Sequence, residues 1–194
     1  MTESESMSES EFVGEVVQLL REQRILSEQY TIKRNANLYY QIIVDNYLRT
    51  NLNLKHPKRG DSAFQTDLCI FLKKRIVGED IEVPKIVFEF KKNPTSHDVI
   101  TYSNKARRHK RIYPYLRYGL ICYGIWAIPK RFFIHNEGLD FCFATAEEPK
   151  HWPDMLKRLI EEELEISNRL ESTIFENKEF EFFRTNIEFG SFEL

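Results

Sequence analysis

Apolar residues recur along this chain with two periods, and the periods predict its elements. Phe12, Val16, Leu19, Leu20 and Gln23 follow at helical spacing to about Ser27. Ser8 or Ser10 caps that helix, with Glu11 three after Ser8 in a capping-box pattern, and residues 1–9 read as frayed and disordered. A broad stripe of Leu38, Tyr39, Ile42, Ile43 and Tyr47 predicts a second helix over 35–51. Residues 52–62 are a polar, basic loop broken by Pro57 and Gly60. The period then changes to two. Thr66, Leu68, Ile70 and Leu72 share one strand face, and Asp67, Cys69 and Phe71 share the other. In the next strand Ile86, Phe88 and Phe90 alternate with Lys85, Val87, Glu89 and Lys91.

Beyond a turn and cap at 93–96, a helix is expected from Ser96 to Tyr113, where Pro114 follows. Residues 118–128 read as a buried strand, parallel to the Glu89 strand through a right-handed crossover. Residues 131–135 and 139–144 read as short strands, with Trp126 in the core. A long helix is expected over 154–176, with Leu156, Leu159, Ile160, Ile166, Leu170 and Ile174 as its stripe. Trp152 beside Pro153 packs at its entrance. Phe180, Phe182, Phe183, Phe189 and Phe192 either pack back on the domain or meet a second subunit. There is no repeat and no clear linker, so 1–194 reads as one domain with a helical C-terminal extension over 153–194.

Composition adds compartment and partner class. With 42% hydrophobic and 30% charged residues the chain is of ordinary soluble type, and no apolar run approaches a membrane span. Its start is acidic and polar, unlike a secretory signal. Cys69, Cys122 and Cys142 lie in apolar runs without zinc spacing, so they read as reduced core thiols of a cytoplasmic protein. A net charge of -2 hides an asymmetry. Between Val99 and Asn136 there is no acid, while Lys105, Arg107, Arg108, Lys110, Arg111, Arg117, Lys130 and Arg131 fall there. A basic middle between acidic ends suits a polyanion-binding face. A solvated helix face is the alternative.

The candidate chemistry sits at the end of the two alternating strands. A hairpin centred on Gly78 places Asp67 directly across from Glu89, on one face. Two opposed acids repel, and a divalent cation between them reverses the sign. Phosphodiester hydrolysis needs an attacking hydroxide, a neutralised phosphate and a stabilised leaving oxygen, which one or two Mg2+ ions supply. Mg2+ keeps several waters, so Asp67, Glu89 and the main-chain carbonyl of Phe90 suffice as ligands, with Mn2+ as a substitute. Lys91 then orients the attacking water or offsets charge on phosphate.

An acid in one strand, Glu-x-Lys ending the next, then a helix and a third strand, resembles the PD-(D/E)xK nuclease superfamily of restriction endonucleases, Holliday-junction resolvases and repair nucleases. Asp67, Glu89 and Lys91 match that pattern over roughly residues 38–124, with Thr66 where a proline is common. The resemblance implies an α/β, restriction-endonuclease-like fold: a mixed sheet core flanked by helices, with N-terminal helices and a long C-terminal helix. It implies a Mg2+-dependent DNA endonuclease of restriction, defence or mobile-element type, dimeric through the C-terminal helix. RNA endonuclease and a non-catalytic binding or assembly module on the same fold are the alternatives. It also implies a metal-ligating acid from a preceding helix, Glu15 in first place, with Glu11, Asp45 or Gln41 in reserve. Tyr102 and Lys105 would reach the site, and Arg107, Arg108, Lys110 and Arg111 would bind nucleic acid. His56, Lys58 and Arg59 could contact the backbone from their loop, and Glu148-Pro149-Lys150 matches Glu-x-Lys only within a proline-containing loop. No Gly-rich phosphate loop or nucleophile elbow is present, and the histidines are scattered.

Overall fold

Thr66 to Leu72 and Val83 to Lys92 build the centre of a mixed sheet. The computed structural model describes residues 7–22, 24–50, 52–58, 62–146, 152–176, 180–184 and 187–188. Among these, the elements are α1 (Glu9–Glu22), β1 (Tyr30–Arg34), β2 (Asn37–Tyr39), β3 (Ala63–Gln65), β4 (Leu68–Ile76), β5 (Glu79–Lys92), α2 (Ser96–Ile112), β6 (Arg117–Tyr123), α3 (Lys130–His135), β7 (Phe141–Thr145) and α4 (Trp152–Phe175). A five-stranded sheet runs β1-β4-β5-β6-β7, and β2 pairs with β3 in a separate ribbon. The β1, β4 and β5 pairings are antiparallel, whereas β5–β6 and β6–β7 are parallel. The fold is thus mixed α/β with helices on the sheet.

The period of two sorts the core into two clusters. Ile86, Phe88 and Phe90 of β5 join Phe12 and Leu20 of α1 and Leu156 and Ile160 of α4. Val87 joins Cys69 of β4, Leu120 and Cys122 of β6, and Val99 and Ala106 of α2. Phe12 stacks on Tyr123 with centroids 4.5 Å apart and meets Phe90 edge-on at 6.0 Å, which fixes α1 over the end of β5. Gly119 of β6 lies between Phe88 and Phe141 in the register, and a Cβ there would sit 1.9 Å from the Phe141 ring. Gly119→Ala is therefore expected to destabilise the fold by roughly 1–3 kcal/mol, since overpacking forces rings off their rotamers. Thermal unfolding checks this, and an unchanged melting temperature refutes it.

Asp67 and Glu89 owe their pairing to a bulge. Val77 and Gly78, both at positive φ, form a two-residue turn between Ile76 and Glu79. The hairpin is therefore centred half a residue before Gly78. Phe71 opposes Pro84 but Ile70 opposes Ile86, so Lys85 is an extra residue in β5. Beyond the bulge the register is Leu68 with Phe88, and one step on it brings Asp67 opposite Glu89. Pro84 is tolerated in mid-strand because a bulge already breaks the ladder. Lys85 is fully buried and pairs with Glu171 of α4 at 2.7 Å.

Several sequence expectations are corrected. The helix expected over 35–51 is not formed by residues 35–50: Asn37–Tyr39 form β2, and Ile42, Ile43, Val44, Tyr47 and Leu48 are exposed. Among the described residues one helix, α1, therefore precedes the sheet. It starts at Glu9, with Ser8 and Glu11 forming the expected reciprocal cap, so residues 8 and 9 are ordered. Residues 131–135 form α3 behind Pro129, not a strand. The third strand stops at Tyr123, before Gly124 at φ 74°, and Trp126 is exposed. In α4 the buried positions are Leu156, Ile160, Glu163, Leu164 and Ser167, whereas Ile166 and Ile174 are exposed. Phe180, Phe182 and Phe183 are exposed, while Phe189, Phe192 and Glu148-Pro149-Lys150 lie outside the described residues.

Candidate functional site

Asp67 occupies the bend between the β2–β3 ribbon and β4. Its backbone is pinned, since Asn35 N–H donates to Asp67 O at 3.1 Å and Thr66 N–H to Ala36 O at 2.8 Å. Its side chain crosses to β5, where Oδ2 accepts from Phe90 N–H at 2.9 Å. Phe90 thus has its ring in the core and its amide on Asp67.

Glu89 is 1% exposed and faces α2. Two groups reach it. Tyr118 Oη of β6 donates to Oε1, and Lys105 Nζ of α2 lies 2.6 Å from the same oxygen. Lys105 also donates to the main-chain oxygen of Gln65 at 2.5 Å. Burial pushes the Glu89 carboxyl up to about 7; the Lys105 charge works against that rise, and the Asp67 charge adds to it. Tyr102, half-buried one turn before Lys105, is held well above the usual phenol range by burial and then by the charges of Glu89 and Asp67. A carboxyl raised by burial, with a neighbouring acid adding to the rise, is the electrostatic pattern of functional carboxylates.

Lys91 shares the face of Glu89 but turns to the start of α2, 3.8 Å from Asp98. Asp98 is the capping-box acid of that helix, with Thr95 as its N-cap. The α1 acid that senses this region is Glu9: burial and the Asp67 charge raise its carboxyl, and Lys91 opposes them. Glu15 is exposed, six residues on, about a third of a turn around α1 and some 9 Å further along it. Glu11 is engaged in the cap, and Asp45 accepts from Tyr47 and Arg49 N–H in an exposed turn. Gln41 lies in the same loop region, 3.4 Å from Ser62 Oγ. Glu9 is therefore a further candidate for the α1 acid beside Glu15. Glu9 is exposed at the first turn of α1, three residues before the buried Phe12, in a segment the sequence pattern reads as frayed.

Among the described residues, no three His, Cys, Asp or Glu side chains gather at metal-ligand spacing. Mg2+ does not require three, because it is commonly held by one or two carboxylates with waters completing its shell. Asp67 and Glu89 are the two opposed carboxylates, and Asp67 Oδ2 and Glu89 Oε1 already carry hydrogen bonds. The donor set fits Mg2+ in kind, with Lys105 holding an oxygen that such an ion would take.

Much of the basic face is paired with acids of the same chain. Arg107 pairs with Glu137 at 2.6 Å, and Lys110 and Arg117 pair with Asp140 at 2.9 and 3.1 Å. These contacts tie α2 and β6 to the segment before β7. Arg108 and Arg111 are exposed, with the Arg108 guanidinium 5.6 Å from the Tyr40 ring centre. Tyr40 stacks on Phe64 at 3.9 Å. In the loop before Asp67, His56 and Lys58 are exposed, and Arg59 lies outside the described residues. The contact of Tyr118 with Glu89 has no signal in the sequence, because Tyr118 lies at the start of an apolar strand run. Compared with known proteins, the sequence matches no family model and no curated protein. Among the described residues, no helix is long and apolar enough to cross a membrane.

Proposed function

We propose that the chain is a Mg2+-dependent nuclease that hydrolyses phosphodiester bonds in DNA, as an endonuclease of restriction or defence type related to the PD-(D/E)xK superfamily. The observation that carries this reading is the buried Glu89 opposed to Asp67 at the end of β4 and β5, beside Lys105, Tyr102 and Lys91. A bound divalent ion supplies the Lewis acidity that the hydrolysis requires. Asp67, Glu89 and the Phe90 carbonyl would hold it, with Glu15 or Glu9 as the acid from α1. Lys91 and Lys105 offset negative charge on the phosphate, and Arg108 and Arg111 hold the polymer backbone. The free thiols suit a reducing cytoplasm. Ile174 and Phe175, exposed at the end of α4, suit a homodimer contact.

The test is incubation of the purified protein with supercoiled plasmid, and separately with RNA, in Mg2+ or Mn2+. Wild type is expected to nick plasmid, and Glu89→Ala and Lys91→Ala to lose that activity. Cleavage surviving in both variants refutes the site. The second reading, a non-catalytic module, draws support from Lys105 sitting on Glu89 as a ready-made counter-ion. Absence of Mn2+ binding in a calorimetric titration favours it.

A further inference from the structure

Lys105 Nζ contacts two oxygens, the Glu89 carboxylate at 2.6 Å and the Gln65 carbonyl at 2.5 Å. A carboxylate and a main-chain carbonyl are also the hard donors that Mg2+ selects. The ammonium comes from α2, whose neighbouring Ala106 and His109 are fully buried against the sheet side, so the stem is aimed inward. A pairing that served only to neutralise Glu89 could have used Lys91, two residues away on the same strand face. Lys91 instead turns to Asp98. The charge on Glu89 is therefore matched across elements, from β5 to α2.

We propose that Lys105 is a tethered counter-ion that occupies the cation position of this site, and that a divalent ion binds by displacing its ammonium from Glu89 and the Gln65 carbonyl. This inference rests on the metal-dependent reading above. Two cations cannot share one buried carboxylate oxygen without strong repulsion. Metal and ammonium are thus coupled negatively, and by reciprocity each weakens the other equally. Displacement also moves the α2 ammonium off Glu89 at the moment the ion enters. That charge is then available to a polyanionic phosphate, so ion and substrate binding would proceed as one exchange.

The experiment is a calorimetric titration of Mn2+ into wild type, Lys105→Met and Lys105→Gln. Removing the ammonium is expected to tighten Mn2+ binding roughly tenfold, within the usual range of such coupling. Equal or weaker binding in both variants overturns the proposal and leaves the metal site standing. Absence of binding in all three proteins overturns the metal reading and this proposal together. A second measurement needs no variant: acetic anhydride labelling of Lys105 in wild type, read by mass spectrometry with and without Mn2+. Labelling is expected to rise several-fold as the ammonium is released, and unchanged labelling overturns the displacement.

Discussion

Asp67→Asn is expected to lower plasmid cleavage by roughly 10²–10³-fold, the usual cost of removing one preorganised electrostatic group from a reaction centre. The substitution is chosen for what it keeps. Asp67 Oδ2 accepts from Phe90 N–H, and an asparagine oxygen can accept the same bond. The bend before β4 should persist, because it is held by Asn35 and Thr66 through main-chain oxygens. What is lost is one negative charge opposite Glu89, hence a metal ligand of full charge. The melting temperature in the absence of metal should stay close to wild type or rise, since Asp67 and Glu89 repel. Cleavage at the wild-type rate, with the fold intact by circular dichroism, would show that the carboxylate has no part in the reaction.

Stability is expected to fall between pH 6.5 and about 3, and His109 is the residue responsible for a distinct part of that fall. Burial, then the Lys105 charge, push the His109 imidazole from 6.5 down to about 3. Nε2 lies 3.2 Å from Leu38 O, while Nδ1 is buried without a partner among the described residues. The neutral ring satisfies Leu38 and leaves an acceptor empty; a charged ring adds a buried donor with nothing to receive it. The sign follows. In this window the unfolded chain binds a proton at His109 and the folded chain does not, so acid favours unfolding. The contribution is complete above 6.5 and disappears as the pH falls toward 3, with a size on the order of 5 kcal/mol. Glu89 acts in the opposite sense, since its raised carboxyl favours the folded state at low pH and that advantage is lost as the pH rises from 4.5 through 7. The difference between wild type and His109→Gln, measured by denaturant unfolding from pH 3 to 8, isolates the histidine. Parallel profiles for the two proteins would refute the assignment.

Alternation and capping made the centre of the molecule legible from sequence. Leu68 to Leu72 and Ile86 to Phe90 alternate because one face meets α1 and α4 and the other meets α2. The Ser8–Glu11 and Thr95–Asp98 pairs mark helix starts through their own hydrogen bonds. Residues 35–51 misled because Leu38, Ile42 and Tyr47 fall at helical spacing without sharing a buried face. Only Leu38 and Tyr39 are buried, as part of β2, and apolar residues exposed on a loop obey no period. Arg131 to His135 holds an apolar run of only three residues, Phe132 to Ile134, too short for periodicity to separate strand from helix. The opposition of Asp67 to Glu89 was legible for an incomplete reason. The turn lies half a residue earlier than Gly78, and the Lys85 bulge compensates. Contacts such as Lys105 on Glu89 and Tyr118 on Glu89 depend on crossovers between elements, which no local pattern encodes.

That extra residue in β5 has a consequence for how the molecule can vary. Excising Lys85 would merge the two halves of the hairpin into one uninterrupted ladder, with Phe71 still opposite Pro84, Ile70 opposite Ile86 and Asp67 opposite Glu89. With Lys85 in the chain the bulge is what sets Asp67 against Glu89; with Lys85 removed the straight ladder gives the same pairing. What would go is the ammonium that reaches Glu171, and with it a link between β5 and α4. The α4 helix would remain attached through Leu156, Ile160 and Leu164 and through the Lys74–Glu171 and Arg117–Glu163 pairs, so the inserted lysine adds one buried charge link to an attachment that is mainly apolar.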